Sequence, residues 1–138
     1  MTDAEKRILS KELCARVFYN VMCAVEGEGD EPLLLGSYMR CGDIYSFDFY
    51  FDECSSLAFR NVEEIKPYLY PLQKAPSKFI EKYNDLLERY SYATGTEDDE
   101  INFSTELIDL FHEYHVDYRG LIDMGLARDA TNKNIYSL

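Results

Sequence analysis

Apolar residues near the start of the chain recur at the spacing of an α-helix. Ile8, Leu9 and Leu13 share one helix face, and Thr2 with Glu5 has the spacing of a capping box ahead of them. The pattern predicts a helix over about 3–15 that covers one end of the core.

The pattern then changes to the alternation that is typical of β-strands. Strands are predicted at about 17–25, 33–39, 45–51, 55–59 and 68–70. The third strand has one apolar face, formed by four aromatic residues that alternate with mostly polar ones: Tyr45, Phe47, Phe49 and Phe51. Asn61 with Glu64 is expected to cap a single helical turn before Pro67. This order of elements is that of small SH3-like barrels, so we expect a small antiparallel β-barrel or sheet, SH3-like by analogy.

Three prolines separate this β half from a helical half, with the border near 71–77: Pro67, Pro71 and Pro76. Ser77 is expected to cap a helix over about 78–92. Its apolar stripe contains Phe79, Ile80, Tyr83, Leu86, Leu87 and Tyr90.

A second helix is expected to begin at Ser104, after an exposed acidic loop over 95–100. Its predicted buried face contains Leu107, Ile108, Leu110, Phe111 and Tyr114. Asp117 is expected to cap a last short helix that ends near Gly125. The whole chain is therefore predicted to be one α+β domain, 1–138, with an N-terminal helix and β half over 1–72 and a C-terminal helical segment over 73–138.

The charge of the chain limits the classes of partner that it can bind. With 14 basic and 26 acidic residues, the net charge is −12, which argues against direct binding of nucleic acid. Two interpretations are open: the charge serves solubility, or an acidic face occupies the basic nucleic-acid groove of another protein. The densest run of charge, and the candidate contact site, is Glu97, Asp98, Asp99 and Glu100.

The four cysteines form no C-x-x-C pair and are expected to be small buried hydrophobic residues: Cys14, Cys23, Cys41 and Cys54. The polar start of the chain lacks a secretory signal, and the longest apolar runs are far shorter than a membrane-spanning helix. We therefore expect a cytoplasmic protein with no membrane role.

His112 and His115 are the only histidines of the chain, three residues apart near the end of a predicted helix. This spacing, with Asp109 nearby, is a weak match to a metal site, because H-E-x-x-H sites have a spacing of four. The simpler interpretation places His112 on the surface and a partly charged His115 at the helix end. No glycine-rich phosphate loop or serine nucleophile motif is present, so no cofactor is expected.

Three stretches of the chain are similar to known sequences: 11–16, 62–72 and 115–127. They resemble a group of short uncharacterised proteins of Bacteroides-type gut bacteria and of their phages and prophages. The resemblance implies a phage or mobile-element accessory protein, and it transfers no catalytic residues. The group continues its proline segment with Ser-Ser-Met-Thr, whereas this chain has Gln73-Lys74-Ala75-Pro76.

We therefore expect a non-enzymatic, acidic protein-binding protein with an unidentified protein partner. Tyr118 and Arg119 form a candidate contact pair, against an alternative in which the ring packs on the helices and the guanidinium pairs with a local carboxylate. Two other functions stay open. One is a small metal-dependent hydrolase that uses His112 and His115, and the other is a structural protein that self-associates into a homo-oligomer through the third strand.

Overall fold

The computed structural model describes residues 1–50, 59–91 and 96–136. Within these ranges the helices are α1 (Asp3–Arg16), α2 (Ser77–Ser91) and α3 (Glu97–Glu113). The strands are β1 (Met22–Val25), β2 (Leu33–Cys41), β3 (Ile44–Tyr50), β4 (Arg60–Asn61), β5 (Ile65–Pro71), β6 (Val116–Asp117) and β7 (Arg128–Asp129). The predicted α+β class, with an N-terminal helix and helices in the C-terminal half, is confirmed.

The strands form one mixed sheet in the order β4-β3-β2-β1-β5-β6, and β7 also pairs with β5. Neighbours from β4 to β5 are antiparallel, whereas β6 and β7 run parallel to β5. Across the described strands the sheet does not close into a barrel. Of the two forms predicted for the β half, the sheet is therefore the one found, and the C-terminal segment adds two strands that were not predicted.

The main core lies between α1 and the sheet, and the segment that follows β6 closes it. Leu9 and Leu13 of α1 are fully buried, as are Phe47 and Phe49 of β3. The predicted alternation of the third strand is thus confirmed for these two rings, while Phe51 lies outside the described residues. Cys23 is buried, but Cys41 is exposed at the end of β2, which corrects the prediction for that cysteine; Cys54 lies outside the described residues.

Three local predictions are confirmed. The capping box of Thr2 and Glu5 is formed in full, and α1 follows it. Asn61 and Glu64 form a second capping box at the 3-10 turn Val62–Glu64. The helix predicted at 78–92 is α2 (Ser77–Ser91), although Ser77 is its first residue and not its cap.

The strand predicted from residue 17 begins only at Met22, because the chain first forms the 3-10 turn Val17–Tyr19. Asn20 ends this turn with φ 58°, a left-handed conformation that asparagine tolerates better than most residues. The alternation is broken at this point, and Phe18 is left 90% exposed. Of the strand predicted at 55–59, only Phe59 is described, and it precedes β4.

The prediction of an acidic loop followed by a helix from Ser104 is wrong for the described residues. Thr96 is the N-cap of α3, and its hydroxyl accepts a hydrogen bond from the Asp99 amide at 3.3 Å. The acidic run forms the first turn of α3, where carboxylates interact favourably with the positive end of the helix dipole.

No helix follows Asp117, contrary to prediction, because the segment folds as turns around Gly120 (φ 76°) and Gly125 (φ 77°). The Asp117 carboxylate nevertheless caps these turns, and it accepts hydrogen bonds from the amides of Leu121 and Ile122 at 2.9 Å each. Leu121 is buried in the core, as the sequence pattern predicts.

Replacing Gly36 with alanine is expected to be mildly destabilising. It lies at a register shift of the β2–β3 pair, and an added Cβ would stand 2.1 Å from Cε2 of the Tyr50 ring. Because this ring is 40% exposed and can swing outward, Gly36→Ala should lower the free energy of unfolding by only about 1 kcal/mol in urea titrations. In a Tyr50→Ala background the cost should shrink. An equal cost in both backgrounds would contradict the steric explanation, and Ser37→Ala on the same strand serves as the control.

Candidate functional site

A largely buried cluster of polar side chains lies where α1, the end of α3 and the segment after β6 meet. We call it the polar cluster: Glu12, Arg16, His112, Tyr118 and Arg119. Glu12 and Arg16 lie one helical turn apart on α1, and both side chains are at most 1% exposed. Leu9 and Leu13 share their helix face, so the face of α1 that packs on the core also contains two buried charges.

Glu12 is the centre of the polar cluster. Its Oε2 accepts a hydrogen bond from Nε of Arg16 at 3.1 Å, and its Oε1 accepts one from the Tyr118 hydroxyl at 2.9 Å. Oε1 also accepts from Nε of Arg119. Burial alone would raise the pKa of Glu12, but the attraction of Arg16 and these hydrogen bonds outweigh it and hold the pKa below its usual value.

Arg16 ties α1 to the C-terminal segment. Its Nη2 donates to the carbonyl of Val116 at 2.9 Å, and its guanidinium lies 5.6 Å from the centre of the Tyr118 ring. Its Nη1 is buried and has no hydrogen-bond partner among the described residues. A buried cation needs a negative charge nearby, and the carboxylate of Glu12 provides it for Arg16.

His112 is buried against Tyr118, which corrects the prediction that it lies on the surface. Its Nε2 is 3.1 Å from the Tyr118 hydroxyl oxygen. Because that hydroxyl donates its proton to Glu12, the geometry assigns the proton of this contact to Nε2 of His112. Burial, together with the positive charge of Arg16, lowers the pKa of His112, so the ring is neutral at pH 7.

His115 is also buried and neutral, rather than charged at the helix end as predicted. It follows α3 with φ 57°, and its ring stacks on Tyr136 with 3.7 Å between ring centres. Burial first, and Arg16 second, lower its pKa to about 3. The Tyr136 hydroxyl donates to the carbonyl of Tyr68 at 2.8 Å and so holds the end of the described chain on the sheet.

The two histidines do not share a ligand site in the described structure. The His112 ring faces Tyr118, whereas the His115 ring lies on Tyr136. Asp109 instead accepts a hydrogen bond from the Tyr19 hydroxyl at 3.2 Å. Among residues 1–50, 59–91 and 96–136, no group of three or more histidine, cysteine or acidic side chains is arranged to hold a metal ion.

Tyr118 and Arg119, the candidate contact pair, both have partners inside the protein. The Tyr118 ring stacks on Phe111 with 4.9 Å between centres, and its hydroxyl is bound to Glu12. Arg119 is 48% exposed and bridges to the same carboxylate. The placement corresponds to the alternative weighed from the sequence, a packed ring and a guanidinium paired with a carboxylate. That carboxylate, however, comes from α1 and is not local.

The predicted acidic contact residues lie elsewhere, on a hairpin of α2 and α3 that we call the helical arm. Phe79 and Leu86 of α2 and Leu110 of α3 are buried, and Phe79 and Leu110 belong to one apolar cluster. Two ion pairs cross on one side of the hairpin: Lys82 with Glu113 at 3.3 Å, and Arg89 with Glu106 at 3.0 Å.

The helical arm holds most of the excess negative charge. Helix α3 carries seven carboxylates and no lysine or arginine, so more than half of the net charge of −12 lies on this helix. Glu97, Asp98 and Glu100 are exposed in its first turn, and Asp99 is partly buried. We call this first turn the acidic tip.

The helical arm also exposes apolar side chains that the sequence pattern assigned to buried stripes. Ile80 and Leu87 are exposed on α2, and so is Ile108 on α3, although Phe79 and Leu86 are buried as predicted. The predicted stripes are broader than the surface that the two helices cover between them.

Comparison with known proteins adds no relative. The chain matches no protein-family model, and no curated protein or solved structure shows a significant similarity to it. In the part of the chain that the structure describes, no helix has the length and apolar character needed to cross a membrane. The polar cluster and the helical arm are therefore the features that bear on function.

Proposed function

We propose that this protein is a non-enzymatic, acidic protein-binding protein whose contact surface is the helical arm. The observation that carries the proposal is the concentration of charge on α3, together with apolar side chains exposed on the same two helices. Exposed apolar residues next to a strongly charged surface are typical of protein-binding sites.

The polar cluster supports this proposal because its reactive groups are engaged with one another. Glu12 accepts three hydrogen bonds, and His112 and Tyr118 are linked to it in a chain. A groove of about 710 Å³ between α1 and β3 is lined by other residues, with both charge signs present. The cluster acts as a clamp between α1 and the C-terminal segment.

As a specific case, we propose that the acidic tip occupies the basic groove of a nucleic-acid-binding enzyme. The resemblance to phage and prophage proteins favours a host or rival enzyme as the partner, in the cytoplasm of a bacterial host cell. Carboxylates presented on a helix match the charge of phosphates, and electrostatic attraction speeds the encounter with a basic surface. This binding should weaken as salt rises.

Affinity capture from a Bacteroides lysate, washed at low and then at high salt, tests the proposal. The test variant neutralises the acidic tip with Glu97→Gln, Asp98→Asn and Glu100→Gln. The matched control removes the same charge from the exposed loop before β2, with Glu26→Gln, Asp30→Asn and Glu31→Gln. Circular dichroism should verify that both variants stay helical.

We expect a nucleic-acid-handling protein that high salt releases, that the tip variant loses and that the loop variant keeps. Equal loss with both variants would mean that net charge, and not the helical arm, controls binding. Equal retention with both would reject the acidic tip as the contact site. If the tagged protein recovers no protein other than itself, self-association is favoured instead.

A further inference from the structure

The side of the helical arm that lies away from its ion pairs exposes apolar residues. We call it the arm face, and it is formed by four side chains that are 42–56% exposed: Ile80, Leu87, Ile101 and Ile108. In each helix the two residues are seven positions apart, so they stack along one side over two turns. The arm face therefore runs along both helices.

The arm face lies away from the ion pairs of the hairpin. With about 100° per residue, Arg89 lies about 60° to one side of the buried Leu86, and Leu87 lies about 100° to the other side. On α3, Ile108 is likewise turned about 160° from the buried Leu110, and Glu113 about 60° in the opposite sense. Because the helices are antiparallel, both turns lead away from the ion-pair side, Leu87 to the flank of α2 and Ile108 to the outer side of α3.

Among residues 1–50, 59–91 and 96–136, the body of the protein covers the arm face only at its base. Phe111 and His112 contact Tyr118, and His112 also contacts Tyr19. Ile108 lies one turn before His112 on the same side of α3, and Ile101 lies two turns before Ile108. Both side chains are exposed. The part of α3 that packs on the body therefore continues as the uncovered arm face.

The border of the arm face is acidic. Glu81 and Glu88 lie beyond Ile80 and Leu87 around α2, and both are exposed. At the far end, Glu97 and Glu100 of the acidic tip turn to the same side. The lysines and arginines of the two helices all belong to α2, and they lie on the ion-pair side: Lys78, Lys82 and Arg89.

We propose that the arm face binds a basic amphipathic helix of a partner protein. The partner's apolar side contacts exposed side chains of the arm face, and its lysines and arginines contact the acidic border. Helix α2 is 15 residues long, or about 22 Å, which matches a partner helix of about four turns. A second copy of this chain fits less well, because it would place one acidic border against another. This inference rests on the proposed function and specifies the partner.

Fluorescence anisotropy with three labelled 14-residue peptides tests the inference on the full chain. The first is an amphipathic helix of leucine and lysine, the second replaces each lysine with glutamate, and the third shuffles the first so that no apolar side remains. We expect the first peptide to bind at least about tenfold more tightly than the third, with no binding of the second. Equal binding of the first and third peptides would overturn the inference, because it would show attraction by charge alone.

Variants of the arm face make the test specific. Leu87→Ser with Ile108→Ser should weaken binding of the first peptide about tenfold or more. Ile44→Ser with Leu72→Ser changes two residues that are also exposed but lie off the helical arm, and should leave binding unchanged. Glu81→Gln with Glu88→Gln should reduce the dependence of binding on salt. An unchanged affinity in the Leu87 and Ile108 double variant would overturn the inference.

Sedimentation velocity tests whether a second copy of this chain covers the arm face. A dimer that Leu87→Ser with Ile108→Ser dissociates would mean that a second copy covers the arm face, and would overturn the basic-helix proposal. The proposed function can fail separately, since it depends on loss of lysate capture in the acidic-tip variant. If that loss occurs while the leucine-lysine peptide fails to bind, the proposed function stands and this inference is rejected.

Discussion

Replacing Glu12 with alanine is expected to lower the free energy of unfolding by about 3–5 kcal/mol. The change leaves the guanidinium of Arg16, which is fully buried, without its negative partner, and it removes the acceptor for Tyr118 and Arg119. Small domains are stable by only about 5–15 kcal/mol, so the variant should unfold at much lower urea concentration or fail to accumulate. Urea titration followed by circular dichroism measures the effect.

Removing both charges should restore much of the lost stability. Glu12→Leu with Arg16→Met replaces the ion pair with apolar side chains of similar size, which in buried sites is often neutral or stabilising. Glu81→Ala, at an exposed position of α2, is the control and should change the free energy of unfolding by less than about 0.5 kcal/mol. A loss below about 1 kcal/mol for Glu12→Ala would show that water reaches Arg16 and that the clamp is weak.

The polar cluster illustrates what local sequence can predict. Glu12 and Arg16 lie on the same helix face as Leu9 and Leu13, so the burial of this pair could have been found from α1 alone. Its other partners could not, because Val116 and Tyr118 lie about a hundred residues further along the chain. A pattern with a period of a few residues holds no information about such a contact.

Elements with complete local signals were predicted well. The two capping boxes and the alternation around Phe47 and Phe49 of β3 each lie within a few residues, and the structure has them as expected. The strands β6 and β7 are two residues long and exist only through pairing with β5, so no alternation could reveal them. The start of α3 was missed because an acidic run has the composition of a loop and also that of a first helical turn.

The arm face could not be predicted, for a different reason. The apolar stripes of α2 and α3 were identified, but a sequence does not state how much of a stripe the neighbouring elements cover. On this side of α3 the body contacts the helix at His112, so Ile101 and Ile108 stay exposed although His112 is buried. The distinction between core and contact surface is therefore set by tertiary structure.

The protein is expected to lose stability as pH falls from about 6.5. The folded-state pKa of His115 is about 3, whereas the unfolded chain has the ordinary value of 6.5. Between these values only the unfolded state binds a proton, so acid favours unfolding by up to about 1.4 kcal/mol per pH unit for each such group. The pKa of His112 is lowered in the same sense. From pH 6.5 to 5 we expect a loss of about 1.5–2 kcal/mol from His115 alone.

Urea titrations at a series of pH values measure this loss, and the range from pH 6.5 to 5 separates the histidines from the carboxylates. Below about pH 4.5, Glu12 adds a loss of the same sign, because its folded-state pKa is also lowered. His115→Asn is the matched variant, since asparagine tolerates the φ of 57° at this position and does not titrate. It should reduce the slope of the free energy of unfolding against pH. Adding His112→Gln should reduce the slope that remains. If stability is flat between pH 7 and 5 in the original chain, the buried rings accept protons in the folded state, and the neutral assignment of both histidines is wrong.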